Sequence, residues 1–157
     1  PRVGPPGERP GEGPALSEPN GSSGAPDLTP DERALLEDTF DRARSGDVDG
    51  LRELLGIGVP VNLTNGRGDT LLMLATYHGH AAAVELLLGL GADTARVNDA
   101  GQTPVAAAVF RQRGDLVRML VGAGADPGHG PKSAWVIAEY FGLEEMTALL
   151  RELSEGT

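Results

Sequence analysis

Two stretches of this chain repeat each other at a spacing of 33 residues: Gly91-Ala92-Asp93 returns as Gly124-Ala125-Asp126, Thr70 as Thr103, Val84 as Val117 and Leu87 as Leu120. A fixed period of this length belongs to stacked supersecondary units, each burying its apolar face against its neighbours. It does not suit a globular core built round one enclosed reaction site. The repeat therefore directs the functional expectation towards binding and away from catalysis.

Composition narrows the choice further. Hydrophobic residues make up 39% of the 157 and aromatics only 4%, so one domain's core must come from Leu, Val and Ala. With no Cys there is neither a disulfide framework nor a thiolate metal site or nucleophile. No apolar run approaches the ~20 residues that a membrane-spanning helix needs, and Pro1 to Pro6 contain no hydrophobic stretch of a secretory leader. The expected location is cytoplasmic. A net charge of −10 repels phosphate backbones and anionic lipid, so neither nucleic acid nor membrane is an expected partner.

Residues 1–28 hold seven of the twelve prolines and six glycines, with Val3, Leu16 and Leu28 as the large apolar residues. Such a segment buries too little to offset its ordering entropy and is expected to be a disordered tail. Order is expected from Thr29-Pro30-Asp31-Glu32, where Thr caps a helix, Pro needs no N–H and Glu completes a capping box. Leu36, Phe40 and Ala43 follow at helical spacing until Ser45-Gly46, and a second helix covers about Val48–Leu55. Helix pairs then recur at Thr70–His78 with Ala82–Leu88, Thr103–Arg111 with Leu116–Val121, and Ser133–Phe141 with Glu144–Leu153. Gly56 and Gly58 are expected to supply left-handed residues at a helix end. The segments Asn65–Asp69, Asn98–Gln102 and Gly128–Lys132 are turn-rich, with Gly or Asn where positive φ is expected, and Val59–Leu63 could form hairpin arms.

These features resemble the ankyrin-repeat family, whose unit of 33 residues joins a turn to two helices and carries T-P-L-H-x-A. Thr70-Leu71-Leu72-Met73-Leu74-Ala75 and Thr103-Pro104-Val105-Ala106-Ala107-Ala108 occupy that motif, and Ser133-Ala134-Trp135-Val136-Ile137-Ala138 is a degraded copy. The family's G-H pair stands as Gly79-His80, its V-x-L-L-L run as Val84 to Leu88, and its G-A-D close at 91–93 and 124–126. In the third unit Gln112-Arg113 replace Gly-His, and the last linker is three residues short. The resemblance implies an all-α solenoid of helix-turn-helix units with short β-hairpin or turn fingers. It would span 29–153 as four units (about 29–62, 63–95, 96–128 and 129–153), with 154–157 as a tail.

The resemblance also implies a non-enzymatic protein–protein interaction module, monomeric and without cofactor. It would hold its partner on a concave surface of fingertips and first helices. The matching positions are Arg44, Tyr77, His78, Phe110, Arg111, Tyr140 and Phe141 on first helices, and Arg67, Asp69, Asp99, Gln102 and Lys132 on fingers. Four of the six aromatics fall there. The alternative is a small-molecule-binding protein or enzyme using the same groove. Charge sorts by element too, with Arg44, His78, Arg111 and Arg113 at first-helix ends and acidic residues on or beside second helices, which favours a partner with acidic and apolar groups.

Other candidate sites have plainer readings. The three G-x-G triplets at 56–58, 89–91 and 122–124 follow helices, whereas a phosphate loop must open one. His78 and His80 diverge by about 200° on a helix and do not share an ion. Asp93 and Asp126 read as turn formers, and Glu144-Glu145 as acidic residues suited to a helix N-terminus. No catalytic constellation or metal site is expected.

Overall fold

The computed structural model describes residues 28–155, so the expected tail over residues 1–28 lies almost wholly outside the described residues, as do the last two positions. Eight helices follow one another among the described residues: α1 (Pro30–Ser45), α2 (Val48–Gly56), α3 (Leu71–Tyr77), α4 (Ala81–Gly89), α5 (Pro104–Phe110), α6 (Gly114–Gly122), α7 (Ala134–Tyr140) and α8 (Glu144–Glu155). The first helices pack in one row, α1 on α3 on α5 on α7, and the second helices in another, α2 on α4 on α6 on α8. Each first helix also packs on the second helix of its own pair. The result is an all-α solenoid, two layers deep.

Local chemistry starts each first helix in the same way. Thr29, Thr70, Thr103 and Ser133 sit in extended conformation as N-caps, each accepting from the backbone N–H three residues on. Thr29 and Glu32 complete the reciprocal capping box. The repeating apolar positions of the second helices, Val84, Leu87, Val117 and Leu120, are fully buried. Ala75, Ala108 and Ala138 are equally enclosed and let the first helices approach closely.

Three details differ from the expectations. Gly56, Gly89 and Gly122 are the last residues of their helices, followed by C-caps Ile57, Leu90 and Ala123 in ordinary right-handed or bridge conformation. The left-handed turn is made by the second glycine of each triplet, with φ of 115°, 87° and 106° at Gly58, Gly91 and Gly124. Val59–Leu63 makes no strand, because a turn at Val61-Asn62, with Leu63 N donating to Pro60 O at 3.3 Å, interrupts it. α8 runs to Glu155, two residues past the Leu153 that apolar spacing marks as its end.

The departure at Gln112 has a direct backbone consequence. Gly46, Gly79 and Gly142 close α1, α3 and α7 at φ of 77°, 80° and 65°, and Gln112 takes the same place after α5 at φ 56°. It is the one non-glycine residue with positive φ among the described residues. A side chain there costs about 1 kcal/mol or more against glycine.

Candidate functional site

The fingers are shaped by asparagine side chains. Asn65 Oδ1 accepts from the N–H groups of Arg67 (2.9 Å) and Asp69 (3.0 Å), and Asn98 Oδ1 accepts from Ala100 (3.0 Å) and Gln102 (2.9 Å). Backbone bonds from Asn65 N to Asp69 O and from Asn98 N to Gln102 O, both 3.0 Å, close the loops. Each asparagine is a clamp and not a positive-φ residue; Gly68 and Gly101 take that conformation. An isolated antiparallel bridge, Thr64 with Thr70, stands at the base of the first finger.

Neighbouring fingers are tied together. Asp99 N donates to Arg67 O at 2.9 Å, and Asn98 Nδ2 donates to Asp69 Oδ1 at 2.8 Å. Lys132 N donates to Gly101 O at 3.0 Å and forms a parallel bridge with Gln102. The third finger has no asparagine clamp. His129 Nε2 lies 2.9 Å from Ala95 O, anchoring it to the turn before the second finger.

Fingers and first helices enclose an open groove of about 900 Å³. Eight of the twelve expected residues line it: Arg67, Asp69, Asp99 and Gln102 from fingers, and Arg44, Tyr77, His78 and Phe110 from first-helix ends. Arg111 and Phe141 join through ring contacts. The Arg111 guanidinium carbon lies 5.2 Å from the centroid of Tyr77, and Phe141 meets Phe110 edge-on at 5.4 Å. Tyr77 and Phe110 lie nearly parallel, 9° apart at 6.4 Å. Lys132 and Tyr140 are not brought into the groove wall. Tyr140 is 80% exposed and touches Phe141 edge-on at 4.8 Å. In register Tyr140 matches Tyr77 and Phe110, but the aromatic row continues through the next residue.

Asn65, Asn98, Met73, Leu74 and Ala100 also line the groove, beyond the twelve expected residues. The two asparagines recur at the repeat interval, and that was the available signal.

The charges in and around the groove divide sharply. Arg52 meets Asp49, Arg96 meets Asp93, Arg113 meets Asp115 and Arg118 meets Glu152. Arg42 bridges Asp38 and Asp47. Its guanidinium helps hold the Asp47 carboxyl below the ordinary range, after the larger effect of the Gly50 N–H. Arg44 reaches out of the groove to Asp41 at 2.7 Å. Among the described residues, Arg67 and Arg111 meet no carboxylate. Arg33 and Arg151, on the first and last helices, share that state. Partial desolvation of its exposed ring, then the charges of His80, Arg44 and Arg111, push the His78 imidazole below its ordinary value.

His80 does a different job from His78. Its Nε2 lies 2.7 Å from Arg44 O, the carbonyl end of α1, and Arg113 Nη1 donates to Gly79 O at 2.9 Å. These N-cap residues of α4 and α6 thus staple each unit to the end of the preceding first helix. They make no side-chain cap on their own helices.

A family described as ankyrin repeats, in three copies, matches residues 40–130. An ankyrin repeat protein of Pseudomonas aeruginosa is 48% identical over 61 residues, covering 39% of this chain and 36% of that relative. The matched stretch is thus little more than a third of the relative's own length.

Proposed function

The chain belongs to the ankyrin-repeat family, whose repeats generally serve protein–protein interaction, and on that premise we propose that it is a non-enzymatic module holding a partner protein in the groove between fingers and first helices. The module spans residues 29–153 and works as a monomer in the cytoplasm without cofactor. The observation that carries this reading is the aromatic row Tyr77–Phe110–Phe141, which crosses three units and stays partly open to solvent. Rings that served only to pack units together would be enclosed like Leu87 or Leu120. Large aromatics beside arginine are the residues enriched where partners bind most strongly. No helix among the described residues is long and apolar enough to cross a membrane.

The test is comparative affinity capture from native lysate, followed by mass spectrometry. Proteins retained by the natural chain and by Arg118→Gln on α6, but lost with Tyr77→Ala combined with Arg111→Glu, are expected. Identical sets from all three baits would overturn the assignment of the groove.

A further inference from the structure

The groove's charges are arranged for a ligand. Through the body of the stack arginines are neutralised by the chain's own carboxylates, at 2.9 Å for Arg113 and 3.1 Å for Arg52. Arg67 and Arg111 are left without such a partner, although the chain carries a large acidic excess. Arg111 lies over the Tyr77 ring at 5.2 Å, within cation–π range. The nearest acidic groups in the groove are Asp69 and Asp99. Asp69 accepts from Asn98 Nδ2 and the Asp99 carboxylate lies close to Gly68, and neither forms an ion pair with Arg67 or Arg111. Two guanidiniums without an ion-pair partner thus share the groove with a partly exposed aromatic row.

Resting on the groove reading above, we propose that the partner segment is an extended acidic and aliphatic stretch of another protein. Its carboxylates would sit on Arg67 and Arg111 and its apolar side chains on Tyr77, Phe110 and Phe141. Arginine suits this role because its planar fork pairs a carboxylate through two parallel bonds. The acidic exterior of the chain opposes a nucleic-acid strand, whose charge is spread along its whole length and would meet repulsion outside the groove. A short acidic segment confined to the groove avoids that repulsion.

The experiment uses fluorescence anisotropy on the full chain with three labelled probes. These are a peptide of about a dozen residues alternating Glu with Leu and Phe, the same peptide with Gln for Glu, and an oligouridylate of equal length. The Glu peptide is expected to bind about tenfold tighter than the Gln peptide, a difference near 1.4 kcal/mol, and the difference should shrink with added salt. R67Q and R111Q should each remove most of that preference, whereas R151Q, on an equally unpaired arginine outside the groove, should leave it intact. Circular dichroism confirms that each variant is folded. Equal affinity for both peptides, with both lost on Tyr77→Ala, overturns the acidic preference but keeps the groove. Failure of both peptides to bind, binding indifferent to Tyr77→Ala and Phe110→Ala, or tighter binding of the oligouridylate overturns the proposal.

Discussion

In the pairs α3–α4 and α5–α6, the fourth motif position is buried, with Met73 at 4% and Ala106 at 1% exposure, whereas its counterpart in α7, Val136, is 46% exposed. The same contrast appears one turn on, where Tyr77 is 41% exposed and Tyr140 is 80%. A further first helix packs on α3 and on α5, and among the described residues none packs on α7. α8 in turn shows solvent a charged outer side carrying Glu144, Glu145, Arg151 and Glu152. What a motif residue contributes is therefore set by the unit beside it, as a one-dimensional stack requires. Middle units gain an interface on each side, and the last gains one.

The largest test of that contrast is in the core. Leu87→Ala, in a site enclosed by α2, α4 and α6, is expected to cost about 3 kcal/mol, while Val136→Ala should stay near 0.5 kcal/mol. Urea unfolding midpoints measure both, and similar costs would break the comparison. Next come the fingers. Asn98→Ala removes two bonds to backbone N–H groups and one each to Asp69 and Gln102, with an expected loss of about 1–2 kcal/mol. Lys132→Ala should change little, because the third finger holds to the second through backbone atoms.

The third contrast reverses sign. Gln112→Gly is expected to raise stability by about 1 kcal/mol, and Gly142→Gln at the matching place in the last unit should lower it by a similar amount. A Cβ at Gly142 meets no neighbouring atom, so the cost there is conformational alone. Thermal melts of the two variants should move in opposite directions.

The smallest effect is in pH. His78, whose register mate in the last unit is Phe141, has a folded pKa below its ordinary value because partial desolvation and the His80, Arg44 and Arg111 charges disfavour its cationic form. Between that depressed value and about 6.5, where the unfolded chain titrates, the unfolded state binds more protons. Stability should therefore rise with pH across this window and fall as acidification passes through the folded value. His78→Asn should flatten that slope in urea midpoints measured from pH 7 down to 5.

Much of this architecture was legible beforehand for specific physical reasons. Thr29-Pro30-Asp31-Glu32 starts a helix by chemistry contained within four residues, and Thr70, Thr103 and Ser133 cap theirs in the same way. Val84 and Leu87 announced their burial by returning as Val117 and Leu120. Turn geometry was read less well. The sequence pattern pairs Gly56 with Gly58 as left-handed, but α2 continues through Gly56 and Gly58 alone makes the turn, because packing decides how far the helix runs. The asparagines of the fingers looked like turn residues, and only the fold showed their side chains clamping two N–H groups each.

Order along the chain determined the repeating unit, the helix starts and the positions available to face a partner, because periodic apolar spacing and capping act over a few residues. Tertiary structure alone decided that Phe141, and not Tyr140, extends the aromatic row, and that Arg67 and Arg111 lack the carboxylates found by most other described arginines. Both outcomes depend on how neighbouring units are rotated and spaced against one another. That is a property of packed surfaces tens of residues apart in sequence, which no local pattern encodes.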